Sequence, residues 1–442
     1  MFKLTTPTKT ALTCIATLLF VAPSSVANDS WPRFRGAAGN GISSGKPPVE
    51  FGANEMVKWR QSIEGVGWSS PVYSDGVIWL TSAIAVPASP EEVARKKAEG
   101  MASFKTAFAS VEFKAMCIDY ATGKLLHNLS LAQTDSPDTI NPMNSFASPT
   151  PTISDGLVYC DFGNYGTWCL DLKTGKEVWR RTIEVDYSVG PGSSPMIYDD
   201  KLILVCDGID AQFVLALNKK TGETIWKTAR PTKKASNVEF QKAYCSPIVA
   251  EVAGKEQIVI PTAQWICGYN PEDGKEIWRL DHGRGFSLSP SPIQTESGSI
   301  IFSTGYMRPE LVAVDPSGSG DVSATHQKWR VSRSVPAMPS PIASAGKVFM
   351  LSDAGVLTCI QDADGSIAWQ ERIPGNYSAS PILVDGKLYL CSREGVVTVV
   401  DISGEFKVLA SNEFGQQLMA SPAVIGNDLL IRSDEALYRI GN

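Results

Sequence analysis

Histidine is scarce in this chain and cysteine is scattered. The 442-residue sequence holds three histidines, His127, His282 and His326. They stand far apart, and no His or Cys set has metal-ligand spacing, so no metal site is expected. No two cysteines are adjacent and no Cys-x-x-Cys-His run occurs, which excludes covalent haem attachment. After residue 27 no apolar run approaches the roughly 20 residues that a membrane-crossing helix needs. Basic residues are outnumbered, with 40 Lys and Arg against 46 Asp and Glu and a net charge of −6. Nucleic acid and anionic lipid are therefore not expected as partners.

What is present begins with a leader. Lys3 and Lys9 precede a mostly apolar stretch from Ala11 to Ala22, and Ser25 and Ala27 put small residues where a signal peptidase reads. Residues 1–27 read as a cleaved secretory signal, which implies a periplasmic or extracellular protein, expected to be a monomer. Of the nine cysteines, Cys14 leaves with the signal. Cys117, Cys169 and Cys359 hold a place where other segments carry Ala or Gly, so cysteine there reads as a small buried residue. Cys160 and Cys169 could meet across a Gly163–Gly166 turn, and both a disulfide and free thiols remain open for them.

The dominant signal is a repeat. Ser-Pro pairs stand at Pro71, Pro149, Pro195, Pro247, Pro292, Pro341, Pro381 and Pro422, and seven of the eight precede a turn and a β-branched or aromatic run. A period of about 40–50 residues marks a repeat architecture. Each unit reads as four short strands separated by turn residues. Its last turn recurs as Asp171…Gly175…Trp179 and Asn218…Gly222…Trp226. Trp59, Trp179, Trp226, Trp278, Trp329 and Trp369 occupy the closing position as structural docking residues, with His127 and Leu409 at the other two. Four-stranded units repeated radially make an all-β propeller, here of eight blades. The last unit lacks an outer strand, and Met56–Arg60 supplies one, so residues 56–442 are expected to close as a single domain behind an extended segment at 28–55. Two insertions interrupt the rhythm. Ser89-Pro90-Glu91-Glu92 is a capping box that starts a helix in blade 1, with Met101, Phe104 and Phe108 on one face. Residues 227–244 carry Lys227, Arg230, Lys233 and Lys234 and read as a solvated loop.

In Cys169-Leu-Asp171…Gly175…Trp179 a small residue, an Asp, a Gly and a Trp fall at positions one, three, seven and eleven. This resembles the tryptophan-docking motif of the PQQ-type propellers, over residues 56–442. That family includes the quinoprotein alcohol dehydrogenases and the outer-membrane assembly lipoprotein BamB. Trp31-Pro-Arg-Phe-Arg-Gly36 and Gly320–Trp329 resemble a secreted bacterial branch of it. The dehydrogenase side of the resemblance implies PQQ with calcium. The chain departs from those enzymes in lacking an adjacent Cys-Cys pair, so no cofactor and no catalytic residue are expected. The BamB side implies a protein partner.

A propeller binds at its central funnel, in the loops that lead into the inner strands. Three residues before each Pro stand Trp68, Phe146, Gly192, Tyr244, Ser289, Met338, Ser378 and Met419, with Tyr377 adjacent. Arg284 and Arg333 lie in the same loops. The expected function is a non-catalytic exported scaffold that takes a protein or peptide on this face. The alternatives are a quinone-dependent oxidoreductase and a small-molecule or glycan binder.

Overall fold

A computed structural model describes residues 30–233 and 236–442, together with Met1. The expected leader therefore lies, Met1 apart, outside the described residues, as does Lys234. Eight antiparallel sheets of four strands each, two of them extended by a further strand, form an eight-bladed propeller. Blade 3 shows the unit: Met196–Tyr198, Lys201–Asp207, Gln212–Asn218 and Thr224–Ala229 run from the channel outward. The ring closes as expected. Val57–Ser62 pairs antiparallel with Ala436–Ile440 as the outer strand of the last blade. Closure by the first strand leaves no open edge at the seam.

The recurring Trp and Gly explain how the blades lock. The indole of Trp179 donates to the Lys219 carbonyl at 2.9 Å, and that of Trp329 to the Asp362 carbonyl at 2.7 Å. Both acceptors sit one residue after the polar residue that opens the next blade's last turn. Trp59 and Trp226 reach the matching carbonyls of Tyr120 and Pro271. The turn glycine is fixed twice over. Gly222 has φ +73°, and a Cβ there would meet the Trp179 ring at 2.8 Å. Blade 1 lacks this Trp and compensates. His127 bonds the Lys173 carbonyl at 2.7 Å, while Trp79 donates to the Leu172 carbonyl at 3.0 Å. Trp278 turns inward instead and donates to Gln257 of its own blade, because the next blade replaces the short turn with a long one. From that turn Gly320–Asp321 pairs parallel with Glu276–Asp281, adding a fifth strand to blade 4.

Several expectations need correction. The blade 1 helix spans only Pro90–Ala98, capped by the Ser89 hydroxyl, and buries none of its residues. Met101 and Phe104 lie beyond its end, Phe104 is exposed, and Phe108 belongs to the strand Phe108–Asp119. Here the long hairpin of Val77–Pro87 and Phe108–Asp119 takes up both ends of the insertion. Cys160 and Cys169 are both free. Cys160 lies opposite Trp168, and Cys169 opposite Tyr159, so the two thiols point to opposite faces of the sheet. The second insertion is not a solvated cationic loop throughout. Arg230 is buried against Asp207 at 3.3 Å, Lys227 lies over the Phe213 ring and Lys233 pairs with Asp281.

The N-terminal segment is more than an extended lead-in. Trp31 is fully buried and forms a bridge with Tyr73. The Pro32 carbonyl accepts from the Ile153 amide in blade 2, and Arg35 donates to the Pro341 carbonyl in blade 6. Gly41 accepts from Leu383, and Ile42–Ser43 adds a parallel strand inside blade 7. Residues 31–43 thus cross beneath the inner strands from blades 1 and 2 to blades 6 and 7.

Candidate functional site

The Ser-Pro serines form a hydrogen-bonded ring around the channel. Six of its eight backbone N–H groups donate to the hydroxyl of the next blade, among them Ser340 to Ser380 at 3.0 Å, Ser380 to Ser421 at 2.8 Å and Ser194 to Ser246 at 2.9 Å, while the Ser70 and Ser291 hydroxyls have no partner among the described residues. Blade 2 joins through Thr150, which accepts from Ser70 at 2.9 Å and donates to Ser194 at 3.0 Å. The blade 2 member is therefore Thr150-Pro151, not Ser148-Pro149. The tandem Ser-Pro-Thr-Pro offered two registers, and only the ring selects between them.

This two-residue shift corrects the funnel. The residue three before Pro151 is Ser148. With that change all eight positions, Trp68, Ser148, Gly192, Tyr244, Ser289, Met338, Ser378 and Met419, line one funnel. Phe146 does not line it. It is buried between Phe108, Phe113 and Tyr165 in the blade 1–blade 2 core. Tyr377 is also buried, with its hydroxyl on the Pro374 carbonyl at 2.8 Å. Arg284 and Arg333 are exposed and are not among the funnel-lining residues.

Two residues that the spacing did not point to complete the mouth. Arg393 donates to the Ser378 hydroxyl at 2.7 Å and to the Tyr377 carbonyl at 3.1 Å. Its terminal nitrogens reach the Met338 sulfur at 3.5 Å and the Met143 sulfur at 4.0 Å. Burial lowers its pKa, with Asp353 and Glu394 opposing. Met143 is exposed and lies 250 positions from Arg393. Met143 belongs to no repeat position, and Arg393 stands where blade 6 carries Asp353, so periodicity gives its place in the turn and not the reach of its side chain.

The chemistry of the funnel is soft and neutral apart from that guanidinium. Three thioethers, an indole and a phenol stand over a floor of hydroxyls. The Tyr244 hydroxyl is engaged, donating to the Tyr187 carbonyl at 2.6 Å, whereas the Trp68 indole N–H has no partner among the described residues. No Asp, Glu, His or Cys lines the funnel. Among the described residues no group of three His, Cys, Asp or Glu could hold a metal ion. Calcium takes six to eight oxygen ligands, carboxylates prominent among them. The residues present do not fit a quinone–calcium pair. No helix among the described residues is long and apolar enough to cross a membrane.

Comparison with known proteins places the chain. The family model described as outer membrane protein assembly factor BamB matches residues 57–260 and 262–436. The quinoprotein alcohol dehydrogenase PedH of Pseudomonas putida is 27% identical over 139 residues, 29% of this chain and 22% of that protein. BamB of Alkalilimnicola ehrlichii is 24% identical over 196 residues, 42% of this chain and 47% of that protein. The matches thus take in less than half of the length of either relative. Among solved structures, BamB from Moraxella catarrhalis superposes with a TM-score of 0.53 at 15% identity, covering 74% of this chain and 93% of that one. A europium-containing methanol dehydrogenase superposes with a TM-score of 0.62 at 12% identity, covering 92% and 90%. At such identities the structures show the shared propeller fold.

Proposed function

The chain belongs to the family of outer membrane protein assembly factor BamB, and from that membership we propose that it is an exported, non-catalytic scaffold that holds a protein or peptide partner on its funnel face. The carrying observation is the lining of the funnel. Tryptophan, tyrosine, methionine and arginine are the side chains that dominate protein interfaces. Here Trp68, Tyr244, Met338, Met419 and Met143 line the funnel, and Arg393 packs on the sulfurs of Met338 and Met143. Methionines adapt to irregular apolar side chains. The Arg393 guanidinium supplies donors for backbone carbonyls or a carboxylate. Periplasmic or extracellular placement follows from the leader pattern and accords with the family.

The test is capture of envelope proteins by the purified chain, compared with the Trp68→Ala/Tyr244→Ala variant. The partner taken by the parent should be lost from the variant. If the same partner is retained at the same yield, the funnel is not the binding face.

A quinone-dependent oxidoreductase is the second reading, favoured by the similarity to PedH. Micromolar PQQ with Ca²⁺ would then give a bound-quinone absorbance and alcohol-dependent dye reduction. The acid-free lining argues against it, and the same titration showing no bound quinone removes it.

A further inference from the structure

Beneath the funnel the N-terminal segment places two guanidinium groups in the channel with no acid to answer them. Arg33 borders a space for one water-sized sphere, shared with Phe34, Gly39 and the hydroxyl-bearing Ser194, Ser246 and Ser291. Phe34 also lines the funnel above, so its ring is the partition between the two spaces. Arg35, two residues on, is buried at 1% exposure. It uses one terminal nitrogen on the Asn40 and Pro341 carbonyls, and its other two guanidinium nitrogens have no partner among the described residues.

The donors at this floor are unusually one-sided. The Arg33 Nε donates to the Ala37 carbonyl at 3.1 Å, which leaves its terminal nitrogens without a partner among the described residues. The Ser194 and Ser246 hydroxyl oxygens already accept backbone N–H groups, from Thr150 at 3.0 Å and Ser194 at 2.9 Å. Their own hydrogens are free to point inward. The Ser291 hydroxyl is buried at 2% residue exposure and has no partner among the described residues. Arg33 and three serines therefore border one small space, whose wall Pro195, Met196 and Pro247 complete. A spherical anion needs only donors. Burial alone lowers the Arg33 pKa to about 10 and that of Arg35 to about 9, and no carboxylate of the described residues offsets either shift. Arg33 is half-buried, whereas Arg35 is fully buried, and a buried charge without a counter-charge is strongly disfavoured.

We propose that the channel floor at Arg33 is a binding site for a halide-sized anion, held by the Arg33 guanidinium and the hydroxyls of Ser194, Ser246 and Ser291. The anion neutralises the cationic floor on which the N-terminal segment crosses the channel, whatever occupies the funnel above.

The test uses the purified chain melted in sodium chloride, sodium bromide and sodium gluconate at matched ionic strength. A ligand that binds the folded state alone raises the melting temperature in a saturable way. Both halides should do so relative to gluconate. Arg33→Met should abolish the difference, Arg33→Lys should keep part of it, and Ser291→Ala should shift half-saturation to higher halide. Crystals of the parent grown in bromide should show an anomalous peak between Arg33 and Ser291, a readout that does not depend on any variant folding. Equal melting temperatures in halide and gluconate, or a bromide crystal with no anomalous peak at Arg33, would overturn the proposal.

Discussion

Trp329 shows how one residue joins two blades. Its ring is buried, its N–H reaches the Asp362 carbonyl of the next blade, and its face rests on Gly365, where a Cβ would meet the ring at 2.8 Å. Trp329→Ala is expected to lower the unfolding free energy by about 3–5 kcal/mol, read from urea denaturation. A loss below about 1 kcal/mol would mean that the neighbouring blade does not depend on this joint. Asp161 is a different case, a carboxyl buried for its hydrogen bonds. It accepts from the Thr167 hydroxyl at 2.6 Å, yet burial pushes its pKa up to about 7 against that bond. The unfolded group titrates near about 3.9. The folded state therefore keeps a proton that the unfolded state has released between those values. This contribution to stability is full below about 3.9 and is lost as pH rises through about 7. Asp161→Asn removes the loss, so the melting temperature of the variant relative to the parent should climb between about pH 4 and 7 and level off above. A constant gap would refute the assignment. His282 slopes the other way: burial lowers its pKa to about 4, so its contribution is lost as pH falls. It is common to both proteins and cancels in the comparison.

At the scale of elements, the N-terminal segment is the part that the repeat could not explain. Residues 31–43 satisfy amides of the inner strands, among them Ile153 through Pro32 and Leu383 through Gly41. Deleting residues 30–43 should leave a folded propeller with a lower melting temperature. The Ile153 and Leu383 amides should then exchange with deuterium much faster, because their acceptors are gone. Unchanged protection at both would mean that the segment does not hold the channel shut. The serine ring teaches a related lesson about register. In Ser148-Pro149-Thr150-Pro151 both pairs satisfy the local pattern, and a shift of two keeps every side chain on the same face. The sequence therefore could not choose between them. The hydrogen bonds to Ser70 and Ser194 do choose, and they exchange Phe146 for Ser148 at the funnel wall. The funnel was otherwise legible, because Trp68, Tyr244, Met338 and Met419 follow directly from spacing. Arg284 and Arg333 were misplaced because loop membership says nothing about which way a long side chain runs.

For the whole molecule, closure is the governing fact. Val57–Ser62 belongs to the first strands of the chain and to the last blade of the ring. Removing residues 57–62 should leave Ala436–Ile440 as an open edge, and open edges pair with other chains. Dimers or larger species by light scattering, with loss of a single cooperative melt, are expected. A deletion variant that stays monomeric with an unchanged melt would show that the seam contributes little.

The sequence by itself determined the blade count, the closing strand, the docking tryptophans and the spacing of the funnel wall. Those features rest on local pattern: turn residues, strand alternation and a repeated interval. Only the tertiary structure decided the blade 2 register, the opposed faces of Cys160 and Cys169, the reach of Arg393 to Met143 and the crossing of the channel by Arg33 and Arg35. Each of these depends on groups far apart in the chain meeting at one place. Such meetings are set by how the ring closes, and no interval along the sequence encodes them.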